Sequence, residues 1–167
     1  MSPQSASLTL HASCVIIGES GVLIRGPSGS GKSSLALKLI HHARALHRFA
    51  ALVSDDRTCI TPYRGQHTQQ LIARPHPALV GLIERRGTGL VKMASEPAAR
   101  LTLILDLQKD LPPRLPEATD TTTDLAGFSF PRVLCSRDWL DPAFAALGLD
   151  LGGGAVLTCR TMDSISD

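Results

Sequence analysis

Gly26-Pro27-Ser28-Gly29-Ser30-Gly31-Lys32-Ser33, GPSGSGKS, is the stretch whose reading decides the fold. Its three later-spaced glycines let the backbone curl so that successive N–H groups point inward at phosphate oxygens. A helix that begins at its end adds a positive N-terminus. Lys32 reaches the β- and γ-phosphates of a nucleotide, and the Ser33 hydroxyl is a ligand for Mg²⁺. The cradle therefore comprises Gly26, Pro27, Ser28, Gly29, Ser30, Gly31, Lys32, Ser33 and the adjoining Ser34.

The flanks supply the strand–loop–helix context that such a cradle requires. Val22–Arg25 is a short apolar strand running straight into the loop. Ser33 to about His47 reads as a helix, because Leu35, Ala36, Leu39, Ile40, Ala43 and Leu46 recur at three- and four-residue spacing. Upstream, Leu8–Ile17 (LTLHASCVII) is a strand or strand pair, followed by a turn at Glu19-Ser20-Gly21. Downstream, Phe49–Ser54 is a buried strand that ends on Asp55-Asp56. Thr58–Thr61 is extended, and Pro62-Tyr63-Arg64-Gly65 turns it. Further strands are expected at Gln69–Ala73 and Leu101–Leu107 (LTLILDL), and Pro75-His76-Pro77 breaks structure before Leu79–Ile83. Gln108–Asp124, with three prolines, reads as a long surface loop. A helix is expected at Pro142–Leu147 and a last strand at Ala155–Arg160. Strands outnumber helices, so the class is an α/β or α+β sheet domain rather than a regular β-α-β series.

The 167 residues fit one domain with a real core. A net charge of +2 and 4% aromatic residues supply neither a basic field nor a stacking surface for nucleic acid. Cys14, Cys59, Cys135 and Cys159 form no CxxC pair, which argues against a zinc knuckle and for reduced thiols. No apolar run approaches the roughly 20 residues that span a bilayer. Met1–Ser7 lacks the features of a secretory signal, so the expected location is cytoplasmic, with no membrane partner.

Phosphate chemistry also needs a carboxylate for the metal or the nucleophile. Asp55-Asp56 after ALVS and Asp106 inside LILDL both end apolar strands, and pattern alone does not choose between them. Two adjacent acids at a strand end point differently, so one faces the site while the other is solvated or paired. Leu82-Ile83-Glu84-Arg85-Arg86-Gly87-Thr88-Gly89-Leu90 is a second glycine-bearing stretch. Glu84 suits a metal and Arg85 or Arg86 a phosphate, yet spacing alone favours a hairpin with solvated charges. His11 lies in an apolar strand, where a histidine is more often structural than catalytic.

Taken in order, these motifs resemble the catalytic domain of the bacterial HPr kinase/phosphorylases, serine kinases that act on a small phosphocarrier of the sugar phosphotransferase system. The resemblance runs from about Leu8 to Arg114. It rests on His11 before the loop, Lys32 and Ser33 in it, Asp55 and Asp56 in VSDD, and the signature Glu84-Arg85-Arg86-Gly87-Thr88-Gly89-Leu90-Val91, with Arg114-Leu115 a later match. It implies a P-loop fold like that of phosphoenolpyruvate carboxykinase, with a strand-rich core and one main helix. By resemblance Lys32 holds the nucleotide phosphates of ATP, and Ser33 and Glu84 bind Mg²⁺. Asp55 takes the proton of the attacking serine, with Asp56 as the second carboxylate. His11 and Arg114 stand near the transferring phosphoryl group, and Arg86, Gly87 and Gly89 shape the signature loop.

The resemblance is to a short proteobacterial form: one domain over 1–167, without the N-terminal domain of longer members. The implied partner is an HPr-like phosphocarrier, and the family's assembly implies a homo-oligomer. The family's Pro-, Gly- and Arg-rich loop tied to the reverse dephosphorylation has no counterpart in Val133–Leu140 (VLCSRDWL). Kinase activity is therefore expected ahead of phosphorolysis. Two other functions remain on these residues: a nucleotide-binding module that signals to a sensor kinase, and a small-molecule kinase or NTPase using Asp106.

Overall fold

A computed structural model describes residues 7–65 and 68–149. The chain runs β1 (Leu8–Leu10), β2 (Ser13–Ile17), β3 (Ser20–Arg25), α1 (Lys32–Ala45), β4 (Ala50–Ser54), β5 (Thr58–Arg64) and β6 (Gln69–Pro75). It continues through β7 (Leu82–Arg85), β8 (Gly89–Lys92), β9 (Ala99–Gln108), β10 (Thr122–Leu125), β11 (Phe128–Ser136) and α2 (Asp141–Ala146). The strand expected at Ala155–Arg160 lies outside the described residues, as does Cys159.

β9 is the hinge of the architecture. Its first residues pair antiparallel with β6, which continues through β5 to β1. Its remaining length is flanked by two parallel neighbours, β3 (Arg25 beside Asp106) and β11 (Ser136 beside Gln108). Beyond β3 lie β2 and then β4, each antiparallel to the strand before it. β3, β4, β9 and β11 thus point the same way, and β2 points the opposite way. One edge of the sheet collects the ends of those four strands and the start of β2. Ligand sites of open sheets with parallel strands form along such a carboxyl edge.

The central strands are apolar on both faces, which is why LTLILDL reads as a continuous run rather than an alternation. Val22 and Ile24 of β3, with Leu103, Leu105 and Leu107 of β9, pack under Leu35, Ala36, Leu39, Ile40 and Ala43 of α1. The opposite face puts Leu23 and Ile104 against Ile60, Leu71, Leu125 and Phe130. α1 and α2 cover one side, and the β1-β5-β6 arm with the β10–β11 hairpin covers the other. Gly21 sits at the irregularity where β3 begins to pair with β9: a Cβ there would lie 2.3 Å from the Arg100 carbonyl oxygen.

Three expectations change. Pro62-Tyr63-Arg64 does not turn the chain but extends β5, with Pro62 opposite Leu71. β1 pairs β5 only from Thr58 to Ile60, so Pro62 stands on an edge where a missing N–H is tolerated. The expected loop Gln108–Asp124 ends early, because Thr122 already opens β10. β11, which carries Pro131 and Arg132, was unforeseen. It forms a hairpin with β10 through Ala126 and Gly127, both at positive φ (50° and 81°), as a tight two-residue turn demands.

Candidate active site

The glycine-rich loop leaves β3 at the carboxyl edge and enters α1 at Lys32. Gly31 precedes the helix at φ 103°, with no side-chain cap and no acid in the first turn. The helix N-terminus therefore keeps its positive end for an anion. Gly26 is required by close approach: a Cβ would fall 2.7 Å from Ser30 Oγ and 2.8 Å from the Leu107 carbonyl oxygen. Ser30 Oγ is buried without a hydrogen-bond partner among the described residues. An orphaned hydroxyl inside a loop of this shape fits a phosphate oxygen.

The paired acids divide as two adjacent residues must. Asp55 turns inward and is 3% exposed. Ser33 Oγ lies 2.8 Å from each of its carboxylate oxygens, Ser13 Oγ donates to Oδ1 at 2.5 Å, and the Glu84 N–H donates to Oδ2 at 3.1 Å. Asp56 adopts a positive φ of 64°, a conformation aspartate tolerates, and turns outward. Its side chain is 54% exposed and pairs with His11 Nδ1 at 2.8 Å. The other ring nitrogen of His11 stands 3.2 Å from Lys32 Nζ. Lys32 also donates to the carbonyls of Gly26 and Pro27 at 3.0 Å each. Burial pushes its ammonium below the ordinary lysine value, against the opposing pull of Asp56 and Asp55.

The end of β4 brings Asp55 and Asp56, the bend between β1 and β2 brings His11, the start of β2 brings Ser13, and β3 brings the loop. These meet because β4 and β3 end where β2 begins. The signature stretch forms the β7–β8 hairpin, moored to Asp55 by the Glu84 N–H and to the core by Ile83. Glu84, Arg85, Arg86, Gly87 and Gly89 are exposed on it, with Gly87 and Gly89 at φ 82° and 80°. The hairpin form is the plain reading of this stretch. Its attachment to Asp55 is what spacing did not reveal.

Arg114 is not joined to this cluster by any hydrogen bond or ion pair found among the described residues. It lies on the exposed segment after β9, in a depression with Leu111, Pro112, Asp138 and Trp139. Asp106 is also placed apart. Arg25 grips it with Nε to Oδ1 and Nη2 to Oδ2, both at 2.7 Å, and Arg132 Nε reaches Oδ2 at 2.6 Å. Burial raises the Asp106 carboxyl, but the hydrogen bonds and charges of Arg25 and Arg132 outweigh that and hold it below the usual carboxylate value. Asp106 ties β3, β9 and β11 together and is engaged on both oxygens.

Sequence reasoning missed Ser13, Arg25 and Arg132. Ser13 had a signal: it lies two residues from His11, so on extended chain both side chains leave the same face. The two arginines had none, because their partner is set by the pairing of β3 and β11 with β9.

Oxygen donors suit a hard cation. The Ser33 hydroxyl is in contact with the buried Asp55 carboxylate, and Mg²⁺ is held by one or two carboxylates plus phosphate and water. The residues present therefore fit Mg²⁺ at Ser33 and Asp55. Glu84 is adjacent through its backbone only.

The fold is a strand-rich α/β domain with few helices, whose glycine-rich loop has Asp55 against it and Asp56 beside it on the accessible side. The relatives specify it further. The family described as HPr Serine kinase C-terminal domain matches residues 3–100, and the chain belongs to that family. It is 44% identical to the HPr kinase/phosphorylase of Mycoplasma mycoides over 80 residues, 48% of this chain and 22% of that protein. It is 32% identical to the HPr kinase/phosphorylase of Limosilactobacillus reuteri over 136 residues, 75% of this chain and 39% of that protein. The solved Hpr(Ser) kinase/phosphatase of Coxiella burnetii matches at a TM-score of 0.60 and 28% identity, over 77% of this chain and 79% of that one. The chain thus spans well under half the length of these two curated relatives. Among the described residues no helix is long and apolar enough to cross a membrane.

Proposed function

We propose that this domain is an ATP-dependent kinase that phosphorylates a serine of an HPr-like phosphocarrier protein. The observation that carries the reading is the Lys32–His11–Asp56 chain beside the Ser33–Asp55 contact: a phosphate-binding loop flanked by one enclosed and one accessible carboxylate. Family membership supports the same activity.

Gly26–Ser34 form a P-loop of the phosphoenolpyruvate carboxykinase-like type. The α1 N-terminus, the loop N–H groups and Lys32 bind the triphosphate of ATP and offset its charge. Ser33 and Asp55 hold Mg²⁺, with Glu84 on the neighbouring hairpin. Bound there, the ion neutralises charge on the phosphates. This reading gives the proton-accepting role, which the resemblance implies for Asp55, to Asp56. Asp55 is enclosed and engaged by three donors, whereas Asp56 is open and steered by His11. A serine hydroxyl is a poor nucleophile, so a carboxylate within hydrogen-bond reach must take its proton as the bond to phosphorus forms. This reading assigns Arg114 no role at the phosphoryl group.

Incubation with an HPr-like carrier, Mg²⁺ and γ-labelled ATP tests the reading. Phosphoserine in the carrier supports it. ATP binding without any transferred label overturns it and leaves the nucleotide-binding regulatory module.

A further inference from the structure

The depression around Trp139 shares the carboxyl edge with the phosphate loop. Leu111, Pro112 and Arg114 come from the segment that follows β9, and Asp138 and Trp139 from the turn that ends β11. β3, β9 and β11 are parallel neighbours, so these segments leave the sheet on the side from which the loop leaves β3. Two inter-strand spacings separate β3 from β11, about 10 Å. The α-phosphate and ribose of a nucleotide bridge such a span. The acids and His11 lie on the other flank, at β4 and β2. Phosphates that run from the loop toward Asp56 therefore leave the nucleoside on the β9–β11 side. On that side the loop at Gly26 lies close against Leu107 near the end of β9.

We propose that this depression is the nucleobase subsite for the ATP of the site described above, an inference that rests on the kinase reading only for the choice of nucleotide. Its volume is about 360 Å³, and its walls are an indole, a proline ring and a leucine. Arg114 and Asp138 also line it, and their guanidinium and carboxylate would serve as polar handles for ring nitrogens, an exocyclic amine or ribose hydroxyls. The backbone at Trp139 is anchored. Its N–H and C=O exchange hydrogen bonds with those of Ser136 at 3.1 Å each, closing the turn through Arg137 and Asp138. Leu111 is 68% exposed beside it. A flat π-face next to aliphatic walls stacks a purine. All five residues follow residue 100, where the match to the family model ends.

Trp139 is the only tryptophan in the chain, so its emission reports on the depression directly. The probes are Mg-ATP, adenosine and Mg-tripolyphosphate, without any carrier protein. ATP and adenosine are expected to change the emission, and tripolyphosphate to bind without changing it. Trp139→Leu should weaken ATP about tenfold and leave tripolyphosphate affinity unchanged. Leu111→Glu should do the same while keeping the fluorophore and, as an exposed-residue change, the fold. ATP affinity equal to wild type in both variants overturns the subsite, as does emission that tripolyphosphate alters as much as ATP does. Base-dependent binding combined with an unlabelled carrier would sink the kinase reading and leave the subsite standing.

Discussion

The Ser33 hydroxyl stands 2.8 Å from each carboxylate oxygen of Asp55. The contact joins the first turn of α1 to the end of β4, 22 residues apart in the chain. It places the one buried acid of the site against the loop residue suited to a metal. Asp55→Asn keeps the shape and removes the charge. Its expected effect is a rise of about tenfold or more in the Mg²⁺ concentration needed for half-maximal ATP binding. A Mg²⁺ titration of nucleotide binding measures it, and an unchanged midpoint would take Asp55 away from the metal.

Lys32 gives the site a pH dependence. Burial lowers its pKa from the ordinary 10.5, with Asp56 and Asp55 resisting. Only the ammonium form attracts phosphate. Affinity for tripolyphosphate should therefore be full below the lowered pKa and fall as pH rises through it, before the ordinary lysine range is reached. Lys32→Arg, charged throughout, should lose this decline. Affinities measured between pH 7 and 11 decide the point. A wild-type curve parallel to that of Lys32→Arg would contradict it.

Asp106 is a stability element. Its removal in Asp106→Ala leaves Arg25 and Arg132 half-buried without their counter-charge, at an expected cost of about 2–3 kcal/mol. Because the folded carboxyl is held below the ordinary value of 3.8, its contribution is present above that pH and is lost as pH falls through the lowered value. Urea unfolding at neutral and acid pH should show the deficit of the variant shrinking in acid. A deficit independent of pH would show that the ion pairs do not carry it.

The phosphate loop, its helix and the buried strands were legible because each is written locally. GPSGSGKS forces its own curl, α1 shows its apolar face at helical spacing, and LTLILDL announces a strand buried on both sides. Asp55 and Asp56 were legible as a pair, but their division was not. It depends on the positive φ of Asp56 and on Ser13 and Glu84, which approach from other strands. β11 was hidden because Pro131 and Arg132 interrupt its apolar pattern, and its partner, the end of β9, lies more than twenty residues earlier. The proline-rich stretch after β9 read as a featureless loop for the same reason: what it lines is decided by where β11 ends.

Gly26→Ala tests how tightly the loop is built. The added methyl would meet Ser30 Oγ and the Leu107 carbonyl, so the loop must shift away from β9. Tripolyphosphate affinity should fall about tenfold or more, since a displacement of the order of 1 Å misaligns the N–H groups. Calorimetric titration of the variant checks it, and wild-type affinity would show that the loop adapts without loss.

Asp56→Asn puts the account to its most direct measurement: the rate of phosphate transfer from ATP to the carrier serine, with ATP affinity determined alongside. Transfer should drop by a factor of about 100 or more while ATP binding stays near wild type. Wild-type transfer by the variant, or transfer and binding lost together, would contradict the placement of the accessible acid at the reacting hydroxyl.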